Sequence, residues 1–358
     1  MSVLSPTLPR SAASSRADEQ AIGRWLAVVA AMIFIMIVIG ALTRLTESGL
    51  SMVEWRPVTG WLPPLTDAAW QEELAKYAAS PQGRIVNHGI GLDEFKQIFW
   101  LEYVHRLWGR IIGLAFALPL VWFVIRRRVP RWLMPRLVVL LALGGLQGAV
   151  GWIMVASGLR DVPAVSHYKL AMHLTLAVAL YAYILWLVFT LLAASRPEHH
   201  RRGDISIAVG TRTLIGLVFV VMTWGAFVAG LRAGQVHTTF PTMSGYWLPP
   251  GLFDLSPVWL NFLETQTGVQ FAHRWLAKAL VLAVALLWWR ARRTDVSQPA
   301  RRATNMVATM AALQFGLGVA TILSGAQIAL ATLHQAGAVL LLSTLVLTLR
   351  RSVTTLSR

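Results

Sequence analysis

The sequence predicts an all-α polytopic membrane protein with eight transmembrane helices, arranged as two pseudo-symmetric four-helix bundles in a parallel repeat. Three observations carry that prediction: eight apolar windows of spanning length, basic residues concentrated in alternate connections, and a second half that restates the first. A helix needs about 20 apolar residues to cross the hydrocarbon of a bilayer. Such windows fall at 25–43, 104–125, 137–157, 171–193, 213–231, 271–289, 303–324 and 332–349. With 56% hydrophobic and only 13% charged residues, the chain is too apolar for an ordinary soluble domain.

A net charge of +16 raises the question of nucleic acid, but a nucleic-acid surface clusters its basic residues on one face of a domain. Here they follow the connections. Arg126, Arg127, Arg128, Arg131 and Arg136 separate the second and third windows, Arg196, Arg201, Arg202 and Arg212 the fourth and fifth, and Arg290, Arg292, Arg293, Arg301 and Arg302 the sixth and seventh. With the two termini these segments hold 20 of the 32 Lys and Arg residues, so the positive-inside rule places both termini in the cytoplasm and makes no case for a nucleic-acid partner. The chain has no cysteine, which excludes a disulfide framework and a thiolate metal site. Any metal must then use histidine.

In order, residues 1–24 read as a plain cytoplasmic tail, since they carry Asp18 and Glu19 and lack a cleavable apolar core; a mitochondrial transit segment is the other reading. Residues 25–196 form the first expected bundle, with a long outer loop at 44–97. Residues 197–211 are a cytoplasmic linker, 212–350 the second bundle and 351–358 a cytoplasmic tail. Within the outer loop, Trp70, Leu74 and Tyr77 share one face of a predicted helix over Thr66 to Ala79, which reads as lying on the outer membrane surface. Asp93 is the expected N-cap of the second spanning helix.

The repeat is read from matched residues. Trp61-Leu62-Pro63-Pro64 returns 186 residues later at Trp247 to Pro250, and Gly40-Ala41 returns 185 later at Gly225-Ala226. His105-Arg106 recurs 168 residues on as His273-Arg274, Leu146-Gln147 recurs 167 on as Leu313-Gln314, and His173 matches His334 at 161. Four spans per unit is an even number, so both units keep one orientation, related by an axis along the membrane normal.

The stretch from Glu102 to Arg110 places a carboxyl, an imidazole and two guanidiniums where a span begins, a costly arrangement that marks a site. Glu102, His105, Arg106 and Gly109 follow i, i+3, i+4, i+7 and share a face that Gly109 leaves flat. That face suits either a planar ring whose iron takes histidine axially or a hydrogen bond to a neighbouring helix. Counted at 1.5 Å per residue from the next cytoplasmic arginine, His105, His173, His273 and His334 lie roughly 31, 34, 25 and 24 Å from the inner side, all near the outer surface. Each bundle thus offers one histidine on its second helix and one on its fourth at similar depth, as a bis-histidine haem requires. Gly144, Gly148, Gly151, Gly316 and Gly318 serve either ring contact or helix packing. Arg110 and Lys278 correspond under the 168 spacing and either bind propionates or snorkel to the interface. The remaining histidines, His88, His167, His199, His200 and His237, read as solvated or structural.

The motifs Gly40-Ala41-Leu42-Thr43-Arg44-Leu45-Thr46 with Glu47-Ser48-Gly49-Leu50-Ser51, Glu102-Tyr103-Val104-His105-Arg106 with Gly109-Arg110, Tyr168 to Leu174, Phe271-Ala272-His273-Arg274 and Leu333-His334-Gln335 resemble those of the heme A synthase family, in its cysteine-free branch. The resemblance implies an oxidoreductase of the bacterial cytoplasmic (inner) membrane that converts a ring methyl of haem o to a formyl group by successive hydroxylations, with oxygen derived from water. It implies haem o as substrate on His105 and His173, and a resident haem b on His273 and His334. A haem o synthase, oxidase assembly factors, membrane lipid and a further copy of the chain are the partners it suggests. Glu102 corresponds to Gln270, so the halves keep the same ligands while only one keeps a carboxylate, which makes Glu102 the catalytic candidate. Arg106, Arg110, Arg274 and Lys278 are the candidate propionate or supporting contacts. Two rival classes use the same features: a dihaem b electron-transfer cytochrome, and a transporter with Glu102 as proton relay.

Overall fold

The computed structural model describes residues 12–56, 59–159, 163–193 and 202–353. Eight of the helices there are long and apolar enough to span a membrane: α1 (Ala12–Leu45), α4 (Leu92–Ile125), α5 (Met134–Gly158), α6 (His167–Leu192), α7 (Arg202–Gly230), α9 (Gln266–Arg293), α10 (Gln298–Leu323) and α11 (Ile328–Ser352). Three short helices, α2 (Asp67–Ala78), α3 (Pro81–Ile85) and α8 (Asn261–Glu264), lie in the connections, and no strand forms among the described residues beyond one isolated bridge between Met243 and Tyr246.

The helices overrun their apolar windows. α1 starts at Ala12 and α7 at Arg202, so part of the expected tail 1–24 and linker 197–211 is helix. A helix satisfies its backbone internally and continues past the hydrocarbon wherever its residues tolerate it; the apolar window marks only the buried length. Residues 1–11, 194–201 and 354–358, with His199 and His200, lie outside the described residues.

α4, at 34 residues, is longer than the hydrocarbon requires, and its N-terminal end serves as a post. Its N-cap is Gly91, not Asp93; Glu94 accepts from the Gly91 amide (3.4 Å) and Asp93 stands beside it in the first turn. An acid favours the whole first turn through the helix dipole, so its presence does not separate cap from first turn. The post presents Phe95, Phe99 and Tyr103, and against them packs α2, which begins at its Thr66 cap. Trp70 meets Phe99 edge-on at 5.0 Å and Tyr77 lies 5.3 Å from Phe95. The apolar face of α2 is therefore covered by α4 instead of resting on the membrane surface. At the other side of α2, Lys76 pairs with Glu72 (2.7 Å), Glu73 (3.0 Å) and Glu54 (3.1 Å). These bonds, that to Glu72 foremost, raise the lysine above its ordinary pKa.

In the first half α1 packs on α4 and α6, and α5 on α6; in the second, α7 packs on α9 and α11, and α10 on both. α6 and α1 meet α7 and α11 across the middle, around a continuous apolar core that includes Leu26, Leu187, Leu342 and Leu345. Trp25 and Trp108 fix α1 to α4 by donating to the carbonyls of Ala115 (2.8 Å) and Met32 (2.9 Å). At the C-terminal ends of α1 and α7, Arg44 donates to the carbonyls of Ala229 (2.8 Å) and Gly230 (3.0 Å), capping α7, and Glu47 pairs with Arg232 (2.7 Å). Glu47 and Arg232 both adopt left-handed backbone (φ 58° and 54°) just past their helices. Both Arg44 with Ala229 and Glu47 with Arg232 join residues separated by 185, the spacing of the Gly40-Ala41 repeat.

The junction of α8 and α9 has no spare room. Thr265 caps α9 by accepting from the Gly268 amide (3.0 Å), and a methyl at Gly268 would overlap the carbonyl oxygen of buried Asn261. Backbone cannot step aside cheaply, so Gly268→Ala is expected to destabilise the fold by about 1–3 kcal/mol. A thermal melt of the detergent-solubilised protein measures this, and an unchanged melt would mean that α8 yields.

Candidate functional site

His105 on α4, His173 on α6, His273 on α9 and His334 on α11 each lay an imidazole against a glycine of the preceding span. A methyl added to Gly40 of α1 would stand 3.3 Å from Nε2 of His105, and one on Gly225 of α7 would stand 3.2 Å from Cε1 of His273. The same addition to Gly151 of α5 and Gly318 of α10 would come within 2.9 Å of Cε1 of His173 and His334. A half-turn of the His105 ring exchanges Nε2 with Cε1 and reproduces the arrangement of His273. The sequence marks Gly144, Gly148, Gly151, Gly316 and Gly318 for close approach, and of these five Gly151 and Gly318 meet an imidazole; the contacts of Gly40 and Gly225 have no sequence signal beyond their recurrence. Gly109, expected to flatten the face below His105, faces Met36 of α1 instead, whose Cε a methyl there would meet at 3.4 Å, and Gly144, Gly148 and Gly316 border open space.

Polar contacts set the rings. His273 Nδ1 lies 3.1 Å from the Val221 carbonyl, which fixes the proton on Nδ1 and leaves the Nε2 lone pair available to a metal. Gln147 Nε2 lies 3.1 Å from His173 Nδ1 and donates to the His173 carbonyl (3.1 Å). Gln314 repeats this at His334, at 3.1 and 2.8 Å. Both amides keep a buried Oε1 without a donor, which gives each site acceptor capacity for an imidazole N–H. The rings of His273 and His334 have centroids 6.4 Å apart and are mutually perpendicular (89°). An iron bonded to two imidazole nitrogens at about 2 Å each separates ring centroids by roughly 6 Å, so this pair fits an axial ligand set. No group of three or more His, Asp or Glu donors gathers among the described residues. The donors therefore suit a metal whose remaining ligands come from a porphyrin.

Just outside the histidines each half has a clamp. Glu102, 2% exposed, accepts from Ser51 Oγ (2.8 Å) and the Met52 amide (2.8 Å) and pairs with Arg106. Arg106 in turn donates to the carbonyls of Met52 (2.8 Å) and Glu54 (2.9 Å). The first outer loop is thereby tied to α4. In the second half Gln270 donates to the His237 carbonyl (3.0 Å), and Arg274 donates to the same oxygen and to Thr239 (2.7 Å). Arg274 is buried and, among the described residues, donates to carbonyls and meets no carboxylate, and its Nε finds no acceptor there. Burial and the Arg274 guanidinium hold His237 below its usual pKa.

The repeated tryptophans cover the next pair of cations. Arg110 lies 5.8 Å from the Trp61 ring and donates to the Arg56 carbonyl (2.8 Å); Lys278 lies 5.6 Å from Trp247 and 4.2 Å from Trp275. Cation–π contact gives the Trp-Leu-Pro-Pro motif a physical reason to recur. His167 bonds the Leu263 carbonyl (3.0 Å), and His237 bonds Ser244 (2.9 Å) and Thr267 (3.2 Å), so both are structural.

These features define a multi-pass helical membrane protein with paired histidines set beneath two clamped loops on one side of the helices. The chain belongs to the cytochrome oxidase assembly protein family, COX15-CtaA, which it matches over residues 23–346. It is 48% identical over 333 residues to a heme A synthase of Parvibaculum lavamentivorans, covering 92% of this chain and 94% of that one. It is 46% identical to the heme A synthase of Rhodospirillum centenum (94% and 89% covered), and 40% identical to the heme A synthase COX15 of Arabidopsis thaliana (92% and 75%).

Proposed function

We propose that the chain is a heme A synthase, an oxidoreductase that converts a ring methyl of haem o to a formyl group by successive hydroxylations, giving haem a for terminal oxidase assembly. The observation that carries this reading is the repeated pairing of a histidine with a glycine of the preceding span in both halves, while the neighbouring carboxylate of Glu102 is replaced by Gln270 in the second. Two like binding sites with unlike charge suit one reacting porphyrin and one resident one. His105 and His173 hold haem o, and His273 and His334 hold haem b. When bound, haem b supplies a one-electron redox centre.

Methyl to formyl, with the oxygen taken from water, releases four electrons and four protons, which an oxidant outside the chain must take up, and positive charge develops on the ring and its benzylic-type carbon as the electrons leave. Glu102, one turn from His105, is the catalytic residue proposed to face that charge. Its three donors leave little freedom, so it acts as a fixed charge; taking a proton from the attacking water would require one donor to move. Arg106, Arg110, Arg274 and Lys278 line the outer side, where propionates would meet them.

The two halves, 25–196 and 212–350, are related in this reading by an axis along the membrane normal, supported by the contacts Arg44–Ala229 and Glu47–Arg232 at the repeat spacing. Arginine placement supports both termini in the cytoplasm of a bacterial cytoplasmic membrane. Haem o synthase and oxidase assembly factors are the proposed exchange partners, and further copies of the chain a proposed assembly. Mass spectrometry of extracted pigments tests the function. Haem a or hydroxylated haem o beside haem b is expected; haem b alone would make the chain an electron-transfer cytochrome, and no haem would remove both readings.

A further inference from the structure

The two halves differ in sequence along a stripe of α5 that flanks the Gly151 face supporting His173. Gly148, Trp152, Val155 and Leu159 follow i, i+4, i+7, i+11 and form one stripe. Its outer end opens into a cleft of about 240 Å³ between α5, α4 and the first outer loop, lined by Val53, Trp55, Arg106, Trp152, Val155 and Leu159. Trp55 and Trp152 face each other at 6.4 Å, and the Arg106 guanidinium lies 5.9 Å from the Trp55 ring. Farther into the membrane, methyls added at Gly144, Gly145 or Gly148 would meet nothing within 4 Å.

In the second half the corresponding positions carry side chains. At the 167 spacing that matches Leu146-Gln147 to Leu313-Gln314, the three glycines become Ala311, Ala312 and Phe315, and Trp152 becomes Val319. Phe315 packs edge-on against Phe240 of the second outer loop at 5.9 Å. The cleft is also adjacent to the histidines: Arg106 follows His105, and Trp152 follows Gly151, the residue that supports the His173 ring. A half that retains its porphyrin can afford a plug; a half that exchanges one needs an opening.

We propose that this cleft and the glycine face below it form a lateral entrance by which haem o passes from the bilayer into the first half, its ring bracketed by Trp55 and Trp152 and its apolar isoprenoid tail lying along Gly145 and Gly148. The proposal rests on the reading of His105 and His173 as the haem o site. The tryptophan faces stack on a flat ring, Arg106 meets its carboxylates, and the exposed glycine face of α5 lets a chain of methyl-branched carbons lie against the helix.

The test uses the full chain with Gly148→Ala and with Gly148→Phe, the latter copying the plug of the second half. Membranes are incubated with haem o, the protein is purified, and haem o and haem b per polypeptide are counted after extraction. Gly148→Ala is expected to load haem o as the parent does, since a methyl there meets nothing within 4 Å, and Gly148→Phe to lose about tenfold or more with haem b unchanged, since a phenyl ring there projects across the opening that the glycine leaves. Full loading of Gly148→Phe would overturn the entrance, as would loss of haem o and haem b together, which would make the stripe a packing surface. A parent protein that takes up no haem o would instead overturn the functional reading on which the proposal rests.

Discussion

Replacing His273 or His334 by alanine is expected to abolish the low-spin haem b spectrum while the polypeptide still accumulates in the membrane. In the proposed assignment each substitution removes one of the two axial ligands of the second half, and no third His, Asp or Glu gathers with the perpendicular rings among the described residues to take over. His273 is held from behind by Gly225 and by the Val221 carbonyl, and His334 by Gly318 and Gln314, so neither ring position can be filled by a neighbour swinging in. Loss of a partner that merely orients such a ligand costs about 10- to 100-fold in metal affinity; loss of the ligand itself should cost more. His105→Ala and His173→Ala are the controls, expected to spare haem b and to lose haem o. Reduced-minus-oxidised spectra with an immunoblot for the polypeptide decide the matter. An unchanged haem b signal in both His273→Ala and His334→Ala would mean that the pairs have been assigned to the wrong halves.

What the sequence revealed and what it hid divide along chain distance. The eight spans were legible because each is a local run of apolar residues, and α2 was legible because Trp70, Leu74 and Tyr77 recur at helical spacing. What covers α2 was not, since the aromatic ladder of α4 that receives it is built from Phe95, Phe99 and Tyr103, and an apolar face reads the same whether lipid or protein will bury it. The Glu102–Arg106 pair follows from i, i+4 spacing, but the Ser51 hydroxyl and Met52 amide that complete it lie about 50 residues back in a loop with no periodic signal. Glycines were the hardest. Gly40 and Gly225 were seen to recur, yet a residue without a side chain carries no sign of what it faces, and only the packed helices place His105 and His273 on them. The same silence hid the opposite case of Gly148, which faces open space.

Glu102→Gln is expected to reduce the ratio of haem a to haem o in membranes by ~100- to 1,000-fold, the usual effect of removing one preorganised group that faces developing charge, with haem b per polypeptide unchanged. Glutamine is nearly isosteric, and its carbonyl oxygen can still accept from Ser51 Oγ and the Met52 amide, so the outer loop stays tied to α4. What is lost is the charge opposite Arg106. The second half shows that this loss is tolerated structurally: Arg274 is buried with Gln270 one turn away and carbonyls as its partners, and the loop there is still clamped. The substitution therefore converts the first clamp into the form the second already has, and separates anchoring from charge. If Glu102 only anchors, haem a output should be close to normal. If it stabilises the oxidised methyl, turnover falls while both rings remain bound. Measuring haem a, haem o and haem b in the same extract, with the amount of polypeptide, distinguishes these outcomes. Normal haem a would sink the catalytic assignment, and joint loss of haem b and protein would reduce Glu102 to a structural ion pair.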